Sequence, residues 1–350
     1  IGLEVKQTAN SGLTATINPD TTYDNTFAIR ADMDGLPIRE QTGLPFASQH
    51  EGKMHACGHD AHMAMALGAA KLLAENKDKL DGSVKFIFQP GEEGYGGAKP
   101  IVNAGVLDDV GAIIGLHIGT LLGSDIPNGK IGISPGPTMA CSDEFSITVT
   151  GQGGHGAMPE TTVDPVVSAS SIVQELQTLI SRELAPTHPG VITVGQIESG
   201  QAYNVIPEAA HLQGTTRFVY EEDRQYIAHR MEELVTQLAA SKQAEAEVNY
   251  YFGFPPLVND KEFTGFFAEV ANQVIGTDDL IEMDEPLMVA EDMTYYLQEV
   301  PGTFFFLSSG RKIDGQIHPH HHPKFDVAED VFWRGTALLA QTASQWLKEN

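Results

Sequence analysis

The order of apolar runs along these 350 residues predicts an α/β chain in which a small, complete α+β domain interrupts a larger one. Three observations carry the prediction. Residues 139–254 read strand, helix, strand, strand, helix, strand, the ferredoxin-like βαββαβ unit with an antiparallel sheet and both helices on one face. Stiff breaks bound it, Ser134-Pro135-Gly136-Pro137 on one side and Pro255-Pro256 on the other. Side chains suited to a metal ion stand before the first break and are short of partners, and a His-rich tract follows the second. Segments 1–138 and 255–350 are therefore expected to form one domain around the insert.

Taken in order, residues 12–17 alternate as a strand would, and 27–34 follow as a second strand with Asp32 and Asp34 sharing a face at its end. A helix rich in Ala, Leu and Met is expected over 61–75, capped by Asp60, with His62 a surface histidine on its first turn. Residues 84–88 form an apolar strand leading into Gln89-Pro90-Gly91-Glu92-Glu93-Gly94, where proline and glycine force an exposed turn. Residues 112–116 suit a buried strand that delivers His117 at its end, where open α/β sheets place their chemistry. In the insert, strands are expected over 144–150, 191–197, 209–218 and 245–252, and helices over 163–184 and 221–240. Beyond it, 263–275 and 293–298 read as helices and 303–307 as an apolar strand. Residues 327–347 read as a C-terminal helix with Val327, Val331, Leu338, Leu339 and Trp346 on its apolar positions.

The formal charge is −26, with 21 Lys and Arg against 47 Asp and Glu, which argues against nucleic acid or anionic lipid as a partner. An anionic substrate would need local positive charge from bound metal or a placed arginine. Two cysteines do not make a disulfide framework, and they fit a reducing, cytoplasmic compartment; Cys141 reads as a small core residue. No apolar run approaches a membrane span. The chain opens at Ile1-Gly2-Leu3 without a methionine, and a leader or first helix is expected to have been removed.

The chemistry is concentrated in His55-Ala56-Cys57-Gly58-His59 and in Glu92-Glu93. Residues two apart on an extended segment project to one side, so Cys57 and His59 can converge on a point, and thiolate and imidazole suit borderline-soft divalent cations. Neighbouring glutamates diverge, so one can bind metal while the other serves as general base. Asp34 is placed to hold a ligating histidine in its tautomer. His117 is a further ligand candidate, and the tract from His318 to His322 offers four imidazoles, too many for one site.

Read together, the segments Arg-Ala-Asp-Met-Asp-Gly-Leu-Pro, His-Ala-Cys-Gly-His-Asp, Gln-Pro-Gly-Glu-Glu-Gly, Gly-Leu-His, Gly-Gly-His-Gly-Ala-Met-Pro, Tyr-Asn-Val-Ile-Pro, Ala-Glu-Asp-Met and His-His-Pro-Lys-Phe-Asp resemble the aminoacylase and carboxypeptidase family of two-metal hydrolases. The likeness is to its branch of auxin-conjugate hydrolases, hippurate hydrolases and N-acetyl-diaminopimelate deacetylases, and it runs essentially end to end. It implies an exopeptidase-like catalytic domain with a lid or dimerisation insert, and two divalent ions (Zn, Mn, Co or Ni) held by Cys57, His59, Glu93, His117 and His321. Cys57 would bridge them, with His320 and His322 as alternatives to His321. It implies Glu92 as general base and acid, and His155 reaching into a neighbouring subunit's site to polarise the scissile carbonyl. Asn204 and Arg217 would hold substrate; an ordinary strand-surface charge is the other reading of Arg217. The implied substrate is an N-acyl amino acid or short peptide, and the implied assembly a homodimer, with a tetramer as the alternative. The family's N-terminal helix with a His-Pro-Glu-Leu-type stretch is absent, and Met293 stands where Phe is common. Two other readings compete: a cysteine hydrolase with Cys57 as nucleophile and His59 as base, and a metal-stabilised binding protein. The first leaves both glutamates idle, and the second has no use for Glu92.

Overall fold

The computed structural model describes residues 1–9, 11–19, 25–94 and 96–350. The chain divides into two compact units. One comprises Ile1–Gly136, Val258–Glu285 and Asp292–Asn350, and the other comprises Pro137–Leu257 and Pro286–Glu291.

The first unit is built on an eight-stranded sheet in the order Val5–Thr8, Gly12–Ile17, Ser83–Gln89, Thr26–Asp32, Val110–Gly119, Gly302–Ser308, Ile131–Ile133 and Leu280–Glu282. Its four central strands run parallel. Parallel strands are covered on both faces and therefore read as continuous apolar runs; every residue of Thr26–Asp32 and of Gly302–Ser308 is buried. The helices His59–Glu75, Lys261–Ile275 and Phe332–Glu349 send Ala61, Met65, Phe267, Leu338 and Ala343 into the core formed with Phe27, Ile29, Ile114 and Phe305. Three of the central strands have their C-terminal ends at Asp32, Gln89 and Gly119, so the loops that follow all open on one edge of the sheet.

The second unit carries a four-stranded antiparallel sheet in the order Gly190–Ser199, Ala209–Phe218, Ser142–Thr150, Glu245–Phe254. With Pro165–Thr178 and Glu221–Ser241 between the strands, this is the ferredoxin-like topology. Phe145, Ile147, Leu176, Leu212, Ile227, Met231 and Val235 form its core. A buried ion pair ties the second helix to the sheet: Asp143 accepts from Arg224 at 2.6 and 2.8 Å and also from the Tyr250 hydroxyl and the Gly253 amide, both at 2.9 Å. The unit also claims residues 286–291, where the Leu287 amide donates to Thr138 O and Leu287 O accepts from the Ala140 amide, each at 2.9 Å. Nothing in the sequence marked that segment, because its link is backbone pairing across about 150 residues of chain.

Several elements differ from expectation at their ends. The first long helix begins at His59, with Gly58 rather than Asp60 at its cap. The helix expected over 163–184 is Pro165–Thr178, capped by Asp164, then a wider turn over Leu179–Glu183. The C-terminal helix is Phe332–Glu349. His117 lies inside its strand, which runs on to Gly119.

Phe305 is fully buried and stacks on Phe267 with centroids 4.7 Å apart. Phe305→Ala is expected to cost about 3–5 kcal/mol through lost contacts and the cavity left behind. Urea unfolding monitored by far-ultraviolet circular dichroism reads this as a lowered midpoint.

Candidate metal centre

Asp32 sits at the end of its strand with no solvent exposure. A carboxylate there is tolerable only if paired. It accepts from Arg30 at 2.8 Å and from His62 Nδ1 at 2.6 Å. Burial would raise its pKa, but His59, His62 and Arg30 hold it well below the usual range. Arg30 in turn donates to Gln89 at 2.9 Å and to Asp292 at 2.7 Å, and the Ala98 amide donates to Asp292 at 2.9 Å. His62 was expected at the surface and is instead 1% exposed. It lies on the same helical face as His59, three residues on. Its Nε2 accepts the Ile118 amide at 2.9 Å, so the helix His59–Glu75 is tied to the strand that carries His117.

Cys57 and His59 do converge, through a left-handed turn rather than an extended segment. Gly58 has φ 92°, and a Cβ there would stand 2.9 Å from Ile118 Cγ2. Cys57 precedes that turn and His59 is the first helical residue, which lets the thiol and imidazole face one point beside the sheet edge.

The Glu-Glu turn is not exposed, for Glu92 is 6% exposed. Asp34 clamps it, one carboxylate oxygen accepting the Glu92 amide and the other the Glu93 amide, each at 3.1 Å. Asp34 also supports His59, whose Nδ1 lies 3.1 Å from its carbonyl and 3.3 Å from its carboxylate. Burial would raise the Asp34 carboxyl, but the contact with His59 and the two amides lower it.

Ring tautomers sort the histidines. With Nδ1–H of His59 directed at Asp34, its Nε2 is left buried without a hydrogen-bond partner. His117 directs Nδ1 at Ile118 O, 2.9 Å away, and turns Nε2 to Cys57 Sγ at 3.4 Å. His321, at a strained φ of 64°, brings Nε2 within 3.2 Å of Glu93 Oε1. That approach is ion-pair close but is not a hydrogen bond, and Glu93 Oε1 stays without a hydrogen-bonding donor. His62 spends both ring nitrogens on Asp32 and Ile118, and His322 Nδ1 accepts the Lys324 amide at 3.0 Å.

Cys57, His59 and His117 form one group of donor atoms within 4.8 Å of one another, and Cys57, Glu93 and His321 form another; the two share the sulfur. Metal bonds of 2.0–2.3 Å at tetrahedral angles set neighbouring donors roughly 3.3–3.8 Å apart. The 3.4 Å from Cys57 Sγ to His117 Nε2 lies in that range, and the 3.9 Å from His59 Nε2 to Glu93 Oε1 is just outside it. Two orphaned buried polar atoms facing a thiol are costly without a cation and satisfied with one. Glu92 Oε2 stands 4.0 Å from His59 Nε2, at the margin of both groups. Burial, then Glu93, Glu92 and Asp32, push the Cys57 thiol well above its usual pKa, which disfavours a free thiolate nucleophile.

The remaining expected site residues belong to the second unit. His155 pairs with Val205 in a two-stranded ribbon, and the Gly156 amide donates to Asn204 O at 2.9 Å, so His155 and Asn204 are neighbours. His155 is exposed, and its Nδ1 accepts the Ala157 amide at 3.0 Å, which leaves the proton of the neutral ring on the outward Nε2. Arg217 is half-buried on the sheet and donates to Thr215 Oγ1 at 2.6 Å and Thr216 O at 2.9 Å. Sequence reasoning missed the support around the centre: Arg30, His62 and Asp292. A visible signal was a charged pair, Arg30 and Asp32, inside an otherwise apolar strand.

Comparison with known proteins places these features in context. The profile of Peptidase family M20/M25/M40 matches residues 28–345. The chain is 41% identical over 326 residues to IAA-amino acid hydrolase ILR1-like 4 of Arabidopsis thaliana, covering 92% of this chain and 73% of that protein. It is 38% identical over 351 residues to N-acetyl-L-cysteine deacetylase of Bacillus subtilis, covering 100% of this chain and 81% of that one. Among solved structures, the Bacillus subtilis YXEP protein, described as a dinuclear metal binding peptidase from the M20 family, superposes with a TM-score of 0.85 at 33% identity over 100% of this chain and 89% of that one.

Any cation taken up here competes with protons. Burial would lower His59, but Asp32, Asp34 and Glu93 raise it to about 9, and Cys57 also holds its proton. Both protons must leave on binding, so affinity should climb with pH, with two protons displaced below about 9 and the Cys57 proton alone above it. Zinc titration of chelator-treated protein at pH 7, in two buffers of different ionisation enthalpy, should report release of about two protons. Binding without proton release would remove Cys57 and His59 from the ligand set.

Proposed function

Because the chain belongs to Peptidase family M20/M25/M40, we propose that it hydrolyses the amide bond of N-acyl amino acids or short peptides, using a pair of divalent cations and releasing a carboxylic acid and a free amino acid. The observation that carries this reading is the sharing of the Cys57 sulfur between two donor groups with Glu92 at their margin. Cys57, His59, His117, Glu93 and His321 would hold the ions, with zinc, manganese, cobalt and nickel all compatible with sulfur, nitrogen and carboxylate donors. Bound there, the ions would polarise the scissile carbonyl and make a water easier to deprotonate.

The chain's own residues supply the rest. Glu92 takes a proton from the attacking water as oxygen bonds to the carbonyl carbon, then delivers it to the departing nitrogen as the C–N bond breaks. Asp34 holds the turn that carries Glu92 and Glu93 by gripping both amides. His155, with Nε2–H directed outward, donates to the oxygen on which negative charge develops; one such donor is typically worth about 3 kcal/mol. Asn204 hydrogen-bonds the substrate, and the Arg217 guanidinium takes its carboxylate. The exposure of His155 suits action on a second copy of the chain, so we propose a homodimer in which the insert excludes water from the reacting centre. A thiol that must stay reduced to bind metal suits the cytoplasm.

Glu92→Gln should lower kcat by roughly 10²–10⁴-fold with metal content unchanged, because only the proton carrier is lost. Unaltered turnover would eliminate Glu92 as base. Treatment with a chelator should abolish hydrolysis across a panel of N-acetyl, N-benzoyl and N-indoleacetyl amino acids, and added metal should restore it. Activity that survives chelation but yields to a thiol reagent would instead support a cysteine hydrolase.

A further inference from the structure

We propose that His320 is a positioning residue that donates an Nδ1–H···S hydrogen bond to the Cys57 thiolate, so that it serves the sulfur and not the cations. The inference rests on the metal-dependent reading above and adds a residue to it. Backbone geometry fixes the ring's tautomer. The Thr120 amide donates to His320 Nε2 at 3.1 Å, which uses the lone pair on that nitrogen and leaves the ring proton on Nδ1. Nδ1 then faces Cys57 Sγ at 3.8 Å, a long contact in keeping with the size of sulfur. With one nitrogen accepting and the other protonated, the neutral ring has no lone pair left for a metal.

The surroundings are shaped for this ring. Gly119 has φ 132°, and a Cβ there would stand 2.3 Å from both Cε1 and Nε2 of His320, so the end of the strand is open only because the residue is glycine. The ring is flanked by Phe325 at 4.6 Å and meets His117 edge-on at 5.0 Å between centroids. The positive φ at His321 turns the next ring towards Glu93, so consecutive imidazoles serve different atoms of the centre. The need is electrostatic: the Cys57 sulfur shares a donor group with the Glu93 carboxylate, so the charge it carries as a ligand sits beside another anion. A neutral N–H donor stabilises that charge without adding a positive one to repel the cations.

The test uses cobalt-loaded protein, whose sulfur-to-cobalt charge-transfer band in the near ultraviolet reports electron density on the thiolate. His320→Asn places an amide N–H at the δ position, His320→Gln places its amide at the ε position where it can accept from the Thr120 amide, and His320→Phe does neither. The Gln and Phe variants should shift the band to longer wavelength and weaken cobalt binding by about 10–100-fold. The Asn variant should stay near the unsubstituted protein on both counts. An unshifted band and unchanged affinity in all three would overturn the proposal, as would loss of one cobalt equivalent from a folded Asn variant, which would make His320 a ligand. A readout independent of variant folding is nitrogen NMR of the unsubstituted protein loaded with diamagnetic zinc and carrying ¹⁵N-labelled histidine. A proton on Nδ1 of His320 is expected, and one on Nε2 overturns the assignment. Failure of the underlying reading looks different, because unsubstituted protein would then take up no cobalt and show no sulfur band.

Discussion

Burying the Asp32 carboxylate is the constraint from which the centre follows. An unpaired carboxylate in that position would cost several kcal/mol, and the chain compensates with Arg30 on one side and His62 on the other. Each compensation fixes another element. Arg30 reaches Gln89 and Asp292, linking the second parallel strand to a segment about 260 residues along the chain. His62 reaches the Ile118 amide, holding the His59 helix against the His117 strand. The donors therefore sit on a frame already set by buried charge, and a preorganised frame spares a cation the work of ordering its ligands.

Around that frame, ordinary backbone groups decide which imidazoles can bind metal. A carbonyl opposite Nδ1 turns Nε2 of His59 and His117 into the centre. An amide opposite Nε2 takes the lone pair from His62 and His320. The same residue type thereby presents a different ring nitrogen to the centre within a few ångströms, according to which backbone group stands opposite it. Asp34 does the corresponding work for the glutamates by gripping two adjacent amides; their side chains do not diverge as expected, since each brings a carboxylate oxygen to within 4.0 Å of His59 Nε2.

The insert contributes a different kind of precision. Its ferredoxin-like sheet has its own core and its own buried ion pair, so it can carry His155 and Asn204 on a short ribbon without leaning on the metal centre for stability.

Much of this was legible in the linear order of residues. The continuous apolar strands, the βαββαβ order of the insert and the paired Cys-Gly-His and Glu-Glu segments are local patterns, and local patterns survive in a string. The burial of His62 and Glu92, the clamp by Asp34 and the adherence of 286–291 to the insert were not legible, because each depends on a partner brought close by folding rather than by sequence separation. Among His320, His321 and His322, sequence position alone left alternatives. The amides of Thr120 and Lys324 and the carboxylate of Glu93 differentiate them. Periodicity thus determined which elements exist, and short segments with their family resemblance determined which side chains could do chemistry, whereas the direction of each lone pair was decided only by the tertiary structure, since a ring's tautomer is set by whatever donor or acceptor packing puts opposite it.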